Sequence, residues 1–331
     1  MTRIEFPEAV VHVEPRTRGR SRIAVEVRQP GLHISRAECE TSYPVDLIEE
    51  IARVKGPAWI CDEIMRDEDP SYTQRHVAFD ILTYVPAGWF AGKRVLDFGS
   101  GCGASTVVLA RMLRGAQFVG VELLDEYTRI ARRRAGYYGF TNARFLTSPD
   151  PNHLPGDIGT FDAIVLGAVW EHLLPGERPE LLDLLWGKLE PGGVLFIYET
   201  PHRYWPVEAH TTGIPFLNYL PDRAALAVAR RFSARVSTDT TWADLLRRGI
   251  RGGTAREIME MLRRAGHPAV LLEPSADGIG DRIDLWYRMS SGLGRPAVKK
   301  TIRAALKSVR ALSGATLVPY LSLAIRKSGP T

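Results

Sequence analysis

Hydrophobic and polar positions along the chain change period several times, and each change marks an element. Between residues 3 and 27 they alternate in two short bursts, Arg3-Ile4-Glu5-Phe6 running on to Val10-Val11-His12-Val13, then Arg22-Ile23-Ala24-Val25-Glu26-Val27. This predicts a small β element ended by Pro30-Gly31. From Tyr43 to about Ala87 the spacing turns helical, with Leu47, Ile48, Ile51, Phe79, Ile81 and Leu82 at the apolar positions. Apolar runs then appear at 94–98, 118–121, 143–146, 161–166 and 194–199. Helix-period segments lie after the first, second and fourth, at 105–110, 128–136 and 178–189. Strand and helix alternating in this way predict an α/β fold on a parallel sheet. Further on, 222–232, 242–246 and 254–266 read as helices, the last opened by the capping box Thr254-Ala255-Arg256-Glu257. Residues 269–272 and 284–287 are expected to form a final pair of strands.

Composition narrows this little, but charge placement adds something. The chain has 331 residues, 45 % of them hydrophobic, enough for one large domain with elaborations or two small ones. Cys39, Cys61 and Cys102 are far apart and form no CxxC pair, which argues against a disulfide framework or a zinc ribbon and suits a reducing cytoplasm. Residues 1–8 lack the basic start and apolar core of a secretory signal, and no apolar run reaches the ~20 residues that cross a bilayer. Of the net charge of +5, eight bases and no acid lie from Ser291 onward, so the rest of the chain sums to −3 and nucleic acid is not expected as a partner. The tail from Pro296 sets Val298, Ile302, Leu306, Val309 and Leu312 on one face among bases. Such a face suits anionic lipid headgroups at the inner face of the membrane, a partner's acidic surface, or packing on the body.

The candidate chemistry centres on Arg94-Val95-Leu96-Asp97-Phe98-Gly99-Ser100-Gly101-Cys102-Gly103, which leads into the apolar stripe that ends at Ala110. Strand, glycine loop and helix in this order form a nucleotide-binding unit, whose glycines keep side chains away from a ligand. Asp97, two residues before Gly99, suits an ammonium or sulfonium and would oppose a pyrophosphate. Glu122, at the end of the next strand, can accept hydrogen bonds from two ribose hydroxyls. Together they describe a site for an adenosine with a positively charged tail. Gly99-x-Gly101-x-x-Ala104 also satisfies a relaxed dinucleotide pattern, which leaves NAD as a rival.

At this point the chain resembles the class I S-adenosylmethionine-dependent methyltransferases, from about Asp80 to about Met289. The first motif is Val95-Leu96-Asp97-x-Gly99-x-Gly101-x-Gly103, and Leu189-Glu190-Pro191-Gly192-Gly193-Val194-Leu195-Phe196-Ile197 is a second match. The resemblance implies a Rossmann-like seven-stranded α/β sheet whose last strand is antiparallel, an N-terminal cap over 1–79, a methyltransferase domain over 80–290 and a tail over 291–331. It implies S-adenosylmethionine as cofactor, held by Asp97, Gly99, Ser100, Gly101, Gly103 and Glu122. Asp150, flanked by Pro149 and Pro151, would contact the adenine amino group; a turn-forming role is the alternative.

The insert at 200–221, with four prolines and many aromatic and histidine residues, is expected to be a substrate lid. More weakly, it resembles the insert of bacterial methyltransferases acting on sugars, glycolipids or related hydroxylated metabolites. If the acceptor is an alcohol, a base is needed. His172, after the fourth strand, and His210, in the insert, are the candidates, with His202 nearby. Glu171-His172 also resembles part of the divalent-ion site of small-RNA 2′-O-methyltransferases, but Ala168 replaces their first glutamate, and no metal ligand is assigned. The expected reaction is O-methylation of a sugar-bearing, lipid-linked or other hydroxylated small molecule. RNA methylation and a non-catalytic cofactor-binding scaffold are the alternatives.

Overall fold

The computed structural model describes residues 1–29, 31–150, 153–290 and 295–329. Pro30, Pro151 and Ser291, named above, lie outside them. The chain divides into two compact units, Met1–Val77 with Phe90–Ile158, and Ala78–Trp89 with Gly159–Thr331.

In the first unit, β1 (Thr2–Glu5), β2 (Ala9–Pro15), β3 (Ser21–Val27) and β4 (Glu38–Thr41) form an antiparallel sheet in sequence order. Their alternation buries Val11, Val13, Ile23 and Cys39 with residues of α1 (Val45–Lys55) and α2 (Ile60–Glu68), and the short α3 (Thr73–His76) follows. Then come β5 (Arg94–Phe98), α4 (Ala104–Met112), β6 (Gln117–Glu122), α5 (Asp125–Tyr138) and β7 (Ala143–Thr147). The strands β5, β6 and β7 pair in parallel, as connections through helices require. Arg134, fully buried on α5, donates to Glu63 of α2 at 2.9 Å. That pairing holds the Glu63 carboxyl below its ordinary pKa in spite of burial.

The second unit holds β8 (Phe161–Gly167), α6 (Glu177–Lys188) and β9 (Leu189–Pro201), then the hairpin β10 (Val207–Glu208) and β11 (Ile214–Pro215). Next are α7 (Asp222–Phe232), α8 (Trp242–Arg247), α9 (Ala255–Arg264), β12 (Ala269–Leu271), α10 (Arg282–Met289), α11 (Pro296–Ser313) and β13 (Tyr320–Lys327). Seven strands make one mixed sheet in the order β12-β13-β9-β8-β5-β6-β7. β13 runs antiparallel to both neighbours, so the sheet is the expected Rossmann-like one.

The last strand is not where the sequence reading placed it. Residues 284–287 belong to α10, because the Asp281 carboxylate accepts the Ile283 and Asp284 N–H groups, each at 3.0 Å, and caps a helix there. The strand is instead β13, within the segment read as a tail. Pro319 precedes it, where a missing N–H costs no ladder bond. The basic helix α11 packs on its own unit. Lys307 reaches Asp281 and Asp284 at 2.7 Å each, and Arg310 reaches Glu273 at 3.2 Å. Leu306 is its one buried residue, beside Ile283 and Val318. Among the described residues no helix is long and apolar enough to cross a membrane.

Candidate active site

In the first unit the glycine loop follows the tip of β5. Gly99, Gly101 and Gly103 have φ of 72°, 53° and 83°, values at which a side chain would be strained. A Cβ at Gly103 would also lie 2.6 Å from the Ala131 Cβ, so this glycine allows α4 and α5 to approach. A Cβ on Gly101 would meet nothing within 4 Å; the space above the loop is open. The Glu122 carboxylate, at the end of β6, accepts the Gly101 N–H at 2.9 Å through Oε2 and the Leu123 N–H at 2.6 Å through Oε1. It therefore braces the loop and still has lone pairs for a ligand.

Asp97 is 2 % exposed, and its Oδ2 accepts the Ser105 and Thr106 hydroxyls, each at 2.6 Å. Burial outweighs those bonds and pushes its pKa up to about 6. Ser100 Oγ is buried with no partner among the described residues. Asp150 is paired with His153, whose Nδ1 lies 2.8 Å from Oδ2, in a short bridge of backbone.

In the second unit, three side chains meet around the turn after β8. Donor atoms of Glu171, His172 and His210 all lie within 4.8 Å of one another. Each is positioned by its own support. His172 Nδ1 lies 2.7 Å from the Arg247 carbonyl oxygen, which makes Nδ1 the protonated nitrogen and leaves the Nε2 lone pair free. Glu171 has no exposure; Oε2 accepts the Thr200 hydroxyl at 2.9 Å, while Oε1 lacks a hydrogen-bond partner among the described residues and lies 3.8 Å from His172 Nε2. His210 rides on the β10–β11 hairpin loop. The buried Glu208 gathers that loop by accepting the Thr211 and Thr212 N–H groups at 2.9 and 2.6 Å. The loop is tied down by the Thr211 hydroxyl on the Arg248 carbonyl at 2.9 Å. Gly249 (φ 90°) closes the site, since a Cβ there would come within 2.9 Å of His210 Nε2 and 3.0 Å of Glu171 Cγ. Burial raises the Glu171 pKa to about 7; burial and then the neighbouring His172 lower that of His210 to about 4. His210 is thus neutral near pH 7, and the cluster has vacant lone pairs for a proton or a cation.

Residues 95–193 match the family model described as a methyltransferase domain. This segment is a class I S-adenosylmethionine-dependent methyltransferase domain. The chain is 34 % identical over 111 residues to a demethylmenaquinone methyltransferase of Thermus thermophilus, covering 34 % of this chain and 49 % of the relative. It is 36 % identical over 115 residues to a ribosomal protein L11 methyltransferase of Pseudomonas paraeruginosa, covering 34 % and 36 %. A trans-aconitate 2-methyltransferase of Paracidovorax citrulli is 28 % identical over 189 residues, covering 55 % and 68 %. The chain thus spans half or less of the first two relatives, and the three are named for three different acceptors. An O-methyltransferase family protein of known structure from Burkholderia thailandensis aligns with 85 % of this chain and 62 % of its own, at 12 % identity and a TM-score of 0.48.

Of the residues singled out in the sequence, the methyltransferase domain gathers Asp97, Gly99, Ser100, Gly101, Gly103 and Glu122 around one loop, and the second unit brings His172 to within 5.8 Å of His210, ring centre to ring centre. His202 is outside that three-residue cluster, although it lines a small pocket together with His210; it is 7 % exposed, its Nδ1 accepts the Tyr204 N–H at 3.2 Å, and burial lowers its pKa to about 4. The supporting residues Ser105, Thr106, Thr200, Glu208 and Arg247 were missed. Only the two hydroxyls, eight and nine residues after Asp97, carried a readable signal.

Proposed function

We propose that the chain transfers the methyl group of S-adenosylmethionine to a hydroxyl of a sugar-bearing, lipid-linked or otherwise hydroxylated small molecule. Glu122 and the Gly99–Gly103 loop hold the adenosine end, with Asp97 beneath the loop ordering α4 through Ser105 and Thr106. Asp150, paired with His153, is assigned to the adenine amino group. The bound cofactor supplies a methyl on a cationic sulfur, open to in-line displacement, so the protein's task is alignment and removal of the acceptor's proton. The observation that carries the hydroxyl reading is the pairing of His172 and His210 beside buried Glu171. His172, with Nδ1–H held by the Arg247 carbonyl, has Nε2 free to take a proton, and Glu171 stabilises the charge that results. Substituting His172 or His210 by Ala is expected to lower kcat about 10²- to 10⁴-fold with S-adenosylhomocysteine affinity unchanged. Labelled methyl groups from the cofactor should enter the lipid or small-molecule fraction of a cell extract. Incorporation into RNA or none at all would oppose the reading.

The unpartnered Glu171 Oε1 favours a second reading of the same cluster. One carboxylate and two imidazoles suit a divalent transition ion, which would acidify a bound hydroxyl, against the expectation of no metal. Zinc or manganese retained by the wild type through dialysis and lost from Glu171→Gln would support this; equal content in both would oppose it.

A further inference from the structure

Within the second unit lies a cavity of about 580 Å³ that the methyl-transfer reading does not use. Its floor is the face of β12 and β13 that carries Leu271, Leu321 and Leu323. Met259 of α9 and Val309 of α11 stand at its sides. This volume is in the range of small-molecule sites, where an apolar lining and a few polar groups fix a ligand's orientation.

The polar groups on the wall share one sign of excess charge. Arg256, Arg282 and Arg310 line the cavity together with a single acid, Glu273. Glu273 is shared, 3.1 Å from Arg282 and 3.2 Å from Arg310. In the surrounding network the bases Arg282, Arg303, Lys307 and Arg310 meet the acids Glu273, Asp281 and Asp284, leaving one positive charge over. Arg256 adds a second, with no ion pair among the described residues. Arg282 is 5 % exposed, and its Nε–H has no acceptor among them. A buried guanidinium N–H left without an acceptor is costly, and an anionic group in the cavity would supply one.

We infer that this cavity binds a single-chain amphiphile with an acidic head group, its chain along Leu271, Leu321 and Leu323 and its carboxylate or phosphate at Arg256 and Arg282. The inference rests on the cavity alone and stands whatever the methyl acceptor is.

Calorimetric titration of the full chain tests it, using laurate, dodecyl phosphate, dodecyltrimethylammonium and acetate below micellar concentrations. Laurate or dodecyl phosphate should bind with one-site stoichiometry, the tighter of the two naming the head group. Dodecyltrimethylammonium and acetate should bind at least 30-fold more weakly. Arg256→Glu, on the exposed first turn of α9, should weaken binding at least tenfold, and Met259→Trp, which fills the cavity, should abolish it. Both variants should keep the wild-type Tm and S-adenosylhomocysteine affinity. Failure of the folded wild type to bind either anion, equal binding of the cationic amphiphile, or full affinity in Arg256→Glu would overturn the inference. So would flotation on phosphatidylglycerol vesicles without binding of the single-chain anions, which would indicate a membrane surface instead.

Discussion

Glu122 Oε2 accepts the Gly101 N–H at 2.9 Å, joining the end of β6 to the middle of the glycine loop after β5. The residue read from the sequence as a ribose acceptor is the brace that shapes the loop. Its removal would cost the brace and, on the proposed reading, the ribose contact as well. Glu122→Ala should weaken S-adenosylhomocysteine binding by about 1 to 3 kcal/mol, the worth of hydrogen bonds to a charged group. Calorimetry at constant pH reads this directly, and unchanged affinity would mean that the carboxylate holds neither loop nor ligand.

Two glycines of the loop separate fold from binding. Gly103→Ala drives a Cβ to 2.6 Å from Ala131 at a φ of 83°. Strain and overpacking together should cost about 2 to 4 kcal/mol, seen in denaturant melts. Gly101→Val puts its side chain where nothing lies within 4 Å. It should therefore lose less stability, from backbone strain alone, yet abolish cofactor binding. The reverse pattern would mean that the open space is not the cofactor's.

Asp97 predicts a pH dependence of a definite sign. Its folded pKa, about 6, lies above the ordinary 3.8 because burial disfavours the charge. The native state therefore binds the proton more tightly than the unfolded chain, and this contribution is full below pH 4 and fades as pH rises through 6. At about 1.4 kcal/mol per unit, the cofactor-free wild type should lose about 2 to 3 kcal/mol relative to Asp97→Asn between pH 4 and pH 7. Urea melts of both proteins across that range test it. A constant or growing advantage for the wild type would contradict it.

The end of the chain is structural. Because β13 pairs with β9 on one side and β12 on the other, deleting residues 320–331 should leave no cooperative unfolding transition. Lys307→Met, which removes a half-exposed cation from Asp281 and Asp284, should fold and lose about 1 to 2 kcal/mol, less in high salt. A truncated chain with a wild-type melt would refute this.

What the sequence disclosed follows the range of the interactions involved. The β5–loop–α4 unit was readable because local backbone needs dictate its residues: glycines at positive φ, an acid at a strand tip, an apolar stripe after it. The order of elements from β5 to β9 followed from period alone, whereas the strand β4 and the split of the 43–87 stretch into separate helices did not. The last strand did not, since Leu285-Trp286-Tyr287 and Leu323-Ala324-Ile325 are comparable short apolar runs. The Asp281 cap and the ladder to β9, one local and one distant, decide between them. His172 and His210 were nominated by residue type, but their approach depends on Glu208 folding the hairpin loop and on Gly249 giving room. The sequence left the basic tail open between a membrane, a partner and the body because the acids it meets, Glu273, Asp281 and Asp284, belong to other elements.

Methyl transfer requires that the folded chain hold S-adenosylmethionine over the Gly99–Gly103 loop. The decisive experiment is calorimetric titration of S-adenosylhomocysteine into the 331-residue chain. Saturable one-site binding is expected, lost in Gly101→Val while that variant still melts cooperatively. A wild-type protein that melts cooperatively but releases no heat and shows no rise in Tm with the ligand would contradict it.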